Sequence, residues 1–466
     1  MRSIRQNYYF YSLILLMDSA FGQTYSSWRV QLVAHLKPDT YFSGCWGWYD
    51  PVKNREYAIS GAHKGTYFVD ITNPSSVYIA DSVIDIPINI WREIKNYKNY
   101  CYIISDDYLN TFQIVDMSYL PDSVHVLASP HKGLLRQGHT LWVDRHYLYV
   151  GGPRDSLGHL HSMGVFNLHP DPSNPSFLRW LDQDFPNIFY VHDMYVRNDT
   201  VFASAANQGL QVFKYDSIQN EFVFISSLTH YLEAGYNHSS ALTQDGKTLV
   251  FMDEVPSGLS IKVADVSDIN NIQVVSYIKP YNYGGFIAHN PFVLGNKFLV
   301  ASCYQDGTLI YDISDPYNPV LKGYFDTYPQ GGANVGIYSS NTYDGNWGSY
   351  PFFPSGLIFS NDMTNGIFIL KADSALSVNE NNYSYQTLVF PNPVQKEIHI
   401  YTNLPNSIHI QLLDCTGKLL MDKFINQSNP QQAITLSLPD IEDGVYFLQL
   451  SSKSEYRITK KIIVKH

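Results

Sequence analysis

Four histidines, His139, His192, His238 and His289, stand at one register of a repeat and open the apolar runs GHTLWVD, VHDMYVR, NHSSALT and AHNPFVL. Imidazole changes charge near neutral pH, and its ring nitrogens bind metals or exchange hydrogen bonds. Carboxylates accompany them. Asp193 follows His192, and Asp253-Glu254 ends the run after His238. In a four-stranded unit, the head of the first strand and the turn between the second and third strands share one end. That turn carries Asp106-Asp107, Arg154-Asp155, Asn207, Asp253-Glu254, Gln305-Asp306 and Asn361-Asp362 in successive copies. Such nitrogens and oxygens form a donor set for a divalent metal or a polar ligand. The candidate ligand-binding residues are therefore His139, His192, Asp193, His238, Asp253, Glu254 and His289. One zinc cannot easily take all four imidazoles, because zinc–nitrogen bonds are only about 2.0–2.1 Å long and the four strand heads are spread over consecutive copies. At most two or three would join a carboxylate.

The register has a second reading. Cys45, Trp91 and Trp347 occupy it in the remaining copies, so the position does not always demand a ligand-type side chain. A histidine repeated in register can tie one unit to the next by a hydrogen bond, as the Gly-His pair does in WD-repeat propellers. Asp70, Asp116, Asp265 and Asp312, which end third strands, read as turn formers. No nucleophile elbow, zinc-protease HExxH, P-loop, dinucleotide fingerprint or EF-hand loop occurs, so no catalytic residue is assigned. Gly331-Gly332-Ala333-Asn334-Val335-Gly336 lacks the Lys-Ser/Thr and helix that phosphate binding needs, and reads as a flexible surface loop.

The elements that position these residues are strands. The cleanest copy, GGFIAHNPFVLGNKFLVASCYQDGTLIYDISDPYNPVLKGYF, spans 284–325. Its short β-branched and aromatic runs are split by Gly, Asn, Asp and Pro, the punctuation of strands and tight turns. Four strands in this length make one propeller blade. Seven copies of the first three runs follow one another from Gly44 to Lys371, but the seventh has no fourth run. A spare run, WRVQLVAHL at Trp28–Leu36, precedes the first copy. A surplus strand matched to a missing one predicts a closed ring; an open solenoid would need neither and would leave an edge exposed. The fold class is all-β: a seven-bladed β-propeller closed by an N-terminal strand, followed by a small C-terminal β-sandwich (Ig-like) domain. The divisions are 1–22, 23–371, a polar linker at 372–387, and 388–466.

Of 466 residues, 16% are charged and 15% aromatic, which suits half-buried strands better than solvated helices. A formal charge of −11 without a long acidic run argues against nucleic acid or an anionic membrane as partner. Arg2 and Arg5, the apolar stretch Tyr8–Met17 and Ala20-Phe21-Gly22 have the pattern of a signal peptide. No other segment is a transmembrane candidate. Cys45, Cys101, Cys303 and Cys415 share no metal-type spacing and are expected as small buried thiols.

Two resemblances follow from quoted residues. The endings FVDITNPSSV at 68–77 and IYDISDPYNPV at 310–320 are similar to LVIVD-type repeats of secreted bacterial propellers. Residues 40–371 resemble the choice-of-anchor B family, most specifically in WGWYDPVKNREYAISGAHKGTYFVDITNP at 46–74; that resemblance implies a surface context and no reaction. The C-terminal module resembles the sorting domain of the bacterial type IX secretion system. The matching residues are Pro391-Asn392-Pro393, Asp414 with Gly417-Lys418, Gly444-Val445-Tyr446 and Lys460-Lys461 before Ile462-Ile463-Val464. It implies passage through the periplasm to the outer-membrane surface or the medium, with the type IX machinery as partner.

The expectation is an exported binding module for an extracellular glycan, peptide or protein. The alternative is a metal-assisted hydrolase or lyase working on the His/Asp face. No cofactor is established by the residues; a divalent metal is the one they could take.

Overall fold

The computed structural model describes residues 25–84, 90–106, 112–127, 135–279, 284–341, 343–376, 387–390, 394–402, 407–426, 434–452 and 457–466. The expected signal peptide, Asp107 and Pro391-Asn392-Pro393 lie outside the described residues. The chain divides into two units, Met1–Leu376 and Ser377–His466.

Among the described residues, the first unit holds seven larger antiparallel sheets, six of four strands and one of five, and a two-stranded sheet beside them. The first strands are Phe42–Asp50, Arg92–Tyr97, Thr140–Asp144, Asp193–Arg197, Asn237–Leu242, Asn290–Leu294 and Asn346–Tyr350. Each packs beside the next, and Asn346–Tyr350 returns to Phe42–Asp50. The result is a β-propeller with first strands innermost.

Period-two alternation explains why both strand faces are apolar. In the seventh sheet, Ile358, Phe368 and Leu370 pack towards the sixth sheet, while Phe359, Ile367 and Ile369 pack towards the first. Every pair of neighbouring sheets shares such a cluster. Cys45, Cys101 and Cys303 are buried in these clusters as free thiols; Cys415 departs from expectation, being exposed in a turn of the second unit. The aspartates that end third strands cap turns as expected. Asp70, Asp116, Asp265 and Asp312 each accept the backbone N–H two residues on.

The N-terminal run does complete the seventh sheet, but as two strands. Gln31–Leu36 pairs antiparallel with Gly366–Lys371, from Gln31↔Lys371 to Leu36↔Ile367. Ser27–Trp28 instead adds a fifth strand to the sixth sheet, opposite Phe325 and Tyr324. Arg29, at φ 59°, turns the chain from one sheet to the other. Val30 is buried at that step against Phe325, Phe368 and Leu370. His35 stacks on Phe368 at 4.2 Å and its Nε2 lies 2.7 Å from the Asn365 carbonyl. One short segment thus fastens two sheets. Beyond Lys371, Asp373–Leu376 forms a helical turn that buries Ala375, so the first unit runs past the expected start of the linker.

The second unit is a sandwich. Thr387–Phe390, Glu397–Thr402 and Ile434–Ser437 form one sheet; Ser407–Leu413, Leu419–Asn426, Gly444–Ser452 and Arg457–Val464 form the other. Ile398, Ile400, Ile410, Leu412, Leu448 and Ile462 fill the space between them. At its hairpin, Asp414 accepts from the N–H groups of Thr416 and Lys418, with Gly417 at φ 86°.

A chain beginning at Tyr41 should lose the outer strand of the seventh sheet and aggregate on the exposed Gly366–Lys371 edge. In the intact chain, Phe368→Ala should cost about 3–5 kcal/mol by denaturant titration. Unchanged solubility and melting of the shortened chain would refute closure through this segment.

Candidate functional site

The first-strand heads converge at one mouth of the ring. His139, His192 and His289 stand one residue before their strands and bond by backbone N–H to Gly151, Ser204 and Ser302, at 2.9, 2.8 and 2.9 Å. His238 and Trp347 are reached through β-bulges, where the register jumps between Asn237 and Ser239 and between Asn346 and Gly348. A bulge adds a residue and re-aims its side chain. The first sheet bulges between Ser43 and Cys45, so its head is Gly44, not Cys45. Cys45 packs between the first and seventh sheets. Gly44 has φ 31°, and a Cβ there would stand 2.5 Å from the Arg92 carbonyl oxygen.

With no side chain at Gly44, the rings on either side meet. The centroids form an unbroken arc: His139–His192 4.2 Å, His192–His238 4.3 Å, His238–His289 4.2 Å, His289–Trp347 4.3 Å and Trp347–Trp91 5.3 Å. All six line a cavity of about 300 Å³, which Asp106, Glu254, Tyr236, Tyr304 and Tyr343 complete.

The imidazoles are not equivalent. His139 Nδ1 lies 2.7 Å from an Asp106 carboxylate oxygen. Burial pulls the His139 pKa down, but the bond and charge of Asp106 outweigh it and the net shift is upward. His192 Nδ1 donates to the His238 carbonyl (3.2 Å) and His289 Nδ1 to the Trp347 carbonyl (2.6 Å). Burial, with neighbouring imidazoles, holds both well below the ordinary histidine value. Burial also lowers His238, opposed by the charge of Glu254. Glu254 Oε1 accepts from the Tyr304 hydroxyl at 2.8 Å, and its Oε2 stands 3.8 Å from His238 Nε2. The mouth therefore presents three imidazoles held towards the neutral form, a fourth held towards the charged form by Asp106, and the Asp106 and Glu254 carboxyl groups, within an aromatic wall.

Two expected residues are elsewhere. Asp253 faces away from the mouth: its carboxylate lies 2.7 Å from Lys262 Nζ, with both side chains fully buried, and accepts from the Tyr231 hydroxyl. Neighbouring residues of an extended chain point to opposite sides, so only Glu254 of the pair reaches the cavity. Asp193 lies one layer down the channel, beside Glu93 and Lys95. Burial and the Glu93 charge raise its pKa to about 7 against the pull of Lys95. Lys95 pairs with Glu93 and sits over Trp46 at 4.4 Å. Beyond this layer the channel opens to an aromatic cavity of about 330 Å³ lined by Trp46, Trp142, Tyr195, Phe292 and Phe352.

Most other turn residues hold loops. Asp155 bonds His159 and lies 3.5 Å from His161 Nε2; Asn361 donates to the carbonyls of Gly44 and Gly61; Asn207 is exposed. The glycine-rich segment is tied down: Gly332 N–H donates to Ile337, and Ala333 N–H to the Asp306 carboxylate at 2.9 Å. Tyr236, Tyr304 and Tyr343 were not foreseen. They come from connections between strands, where the only signal is a tyrosine placed two to four residues before a head or just after a second strand.

Residues 388–465 match the family of secretion system C-terminal sorting domains. The second unit is a type IX sorting domain. Its Asp414-to-Lys418 turn, Gly444 and Tyr446 on the third long strand, and Lys460 and Lys461 on the last strand carry the resemblance. The protein is thus exported to the cell surface or beyond, handled by the type IX machinery. Among the described residues no helix is long and apolar enough to cross a membrane. No curated protein matches the sequence. Solved structures with similar folds include the WD40 β-propeller domain of Doa1, at 12% identity and TM-score 0.49, covering 73% of this chain and 97% of that one. Another is U3-55K, at 10% identity and TM-score 0.47, covering 73% and 98%. A third is PorZ, a surface component of the type IX secretion system of Porphyromonas gingivalis, at 10% identity and TM-score 0.33, covering 89% and 70%. Nothing about activity carries over from these.

Asp193 supplies a pH test. Its folded pKa of about 7 lies above the unfolded value near 3.9. Between those values the native state holds the extra proton, so this group's contribution to stability is present at low pH and lost as pH rises through 7. The lowered histidines act in the opposite sense, so the comparison must be with a variant. Asp193→Asn should gain stability relative to the parent as pH is raised from about 5 to about 8. A difference in melting temperature that stays constant with pH would contradict this placement.

Proposed function

We propose that the propeller is the binding module of this exported protein and that the histidine-lined mouth is its ligand seat. One observation carries the reading: four imidazoles and two indoles from six consecutive sheets, with Glu254 and three tyrosines, converge on a single cavity. A pocket of about 300 Å³ is at the small end of ligand sites. It suits a sugar ring or one or two peptide side chains projecting from a larger partner. Aromatic faces supply stacking area, while neutral imidazoles and the carboxylate supply directed hydrogen bonds. The opening residues and third-strand endings favour a seven-bladed propeller of the choice-of-anchor B kind, a surface context in keeping with the sorting domain.

A second reading is metal-assisted hydrolysis or elimination at the same mouth. It draws on the close approach of His238, Glu254 and His289. Turnover of a bound ligand would separate it from pure binding.

Calorimetric screening of glycans and peptides against the full exported chain should find a ligand whose affinity falls about tenfold or more in Tyr343→Ala. Tyr343 is 40% exposed, so that variant should melt as the parent does. His192→Ala should lose the ligand too, and about 1–3 kcal/mol of stability with it, because the His238 carbonyl loses its donor. A ligand indifferent to both changes would place the seat elsewhere.

A further inference from the structure

Within that seat, and resting on that reading of it, the geometry points to a more specific occupant. We propose that His238, Glu254 and His289 hold a divalent transition-metal ion of the zinc class, with its remaining coordination positions open to the cavity and to the ligand.

The donors are already gathered. One ligand atom from each residue lies within 4.8 Å of the other two, and all three residues are buried. The proton on His289 is fixed by its partner. Its Nδ1 faces the Trp347 carbonyl, which only accepts, so Nδ1 carries the hydrogen and Nε2 carries the lone pair. That Nε2 is buried and meets no hydrogen-bond partner. A buried acceptor without a donor is costly, and a cation satisfies it. His238 Nε2 and Glu254 Oε2, at 3.8 Å, are too far apart for a hydrogen bond. Two ligands of one ion stand near that separation: with bonds of 2.0–2.1 Å, tetrahedral donors are roughly 3.4 Å apart. Small ring rotations would close the rest.

Two of the three ligands already have the outer contacts that metal sites use. The Trp347 carbonyl orients His289, and the Tyr304 hydroxyl occupies Glu254 Oε1 and leaves Oε2 for the ion. Such outer partners fix the tautomer of His289 and the direction of His289 and Glu254. Two neutral imidazoles and one carboxylate suit zinc-class ions and not calcium, which prefers all-oxygen sites. His139 is excluded by position: it stands at the other end of the arc, with His192 between it and His238. Three protein ligands leave at least one open position, as in zinc sites that bind an exchangeable group.

The test uses the full exported chain, stripped with chelator and titrated with cobalt(II) chloride by visible absorption and with zinc chloride by calorimetry. One equivalent should bind, and the cobalt form should show the visible bands of a four- or five-coordinate N/O site. Glu254→Gln, which keeps the contact with Tyr304, should abolish the bands, as should His289→Ala. Tyr304→Phe should weaken binding by about 10-fold. His125→Ala, an exposed histidine on a blade edge, should change nothing. No stoichiometric binding by the folded parent would overturn the proposal. Equal affinity in Glu254→Gln and the parent would overturn it as well. A chain that takes up no metal yet binds its glycan or peptide through Tyr343 refutes the metal site and leaves the binding module standing. Metal uptake without any ligand in the screen does the reverse.

Discussion

The ring depends on satisfying the backbone carbonyls at the heads of its innermost strands. Buried carbonyls need donors, and five of the seven heads find one on a neighbouring sheet. The His192 carbonyl receives the Thr140 hydroxyl, the His238 carbonyl the His192 imidazole, and the His289 carbonyl the Ser239 hydroxyl. The Trp347 carbonyl receives both His289 and the Asn290 amide. At the closing seam, Asn361 reaches across to Gly44. These bonds cross from sheet to sheet, so they set the angle at which blades meet as well as their stability. They also decide what the channel mouth displays. An imidazole that spends Nδ1 on its neighbour's carbonyl has its second nitrogen left for the cavity. Bracing and binding are therefore compatible roles of one side chain, divided between its two nitrogens.

Below the mouth the channel is layered. Lys95 and Glu93, with Asp193, fill the middle among Trp46 and Trp142. A paired charge cluster in that position is self-satisfied and separates two chemically different openings. One is polar, ringed by imidazoles; the other is aromatic. The N-terminal segment holds this arrangement by gripping the sixth and seventh sheets together, and the hydroxyl network of Ser302, Thr308, Ser349 and Ser360 joins the same pair at their inner edge. The sorting domain needs none of this machinery, having its own core.

Most of the architecture was legible because propeller strands are buried on both faces and end in residues with fixed turn chemistry. Apolar runs and turn formers such as Asp70 and Asp312 suffice to count them. What escaped was local. A β-bulge leaves no mark in composition, so Cys45 read as the head of the first sheet when Gly44 holds that place. Asp253 and Glu254 are equal as letters; only the direction of the chain after Asp253 sends one to Lys262 and the other to the mouth. Trp28–Leu36 read as one strand because nothing in its apolar pattern shows Arg29 adopting a left-handed turn. The cavity tyrosines come from connections, where periodicity gives no register. The four histidines did converge as their shared register implied, since a repeated position on inner strands must form a ring around the axis.

The central claim is that His192 and His289 brace the ring through Nδ1 and present Nε2 to the cavity. Nitrogen-15 NMR of the protein labelled at histidine reads this directly. His192 and His289 should be neutral at pH 7 and protonated on Nδ1, with Nε2 at the shift of an unprotonated nitrogen that moves when zinc or ligand is added. Imidazolium signals at these positions, or rings protonated on Nε2, would contradict the account.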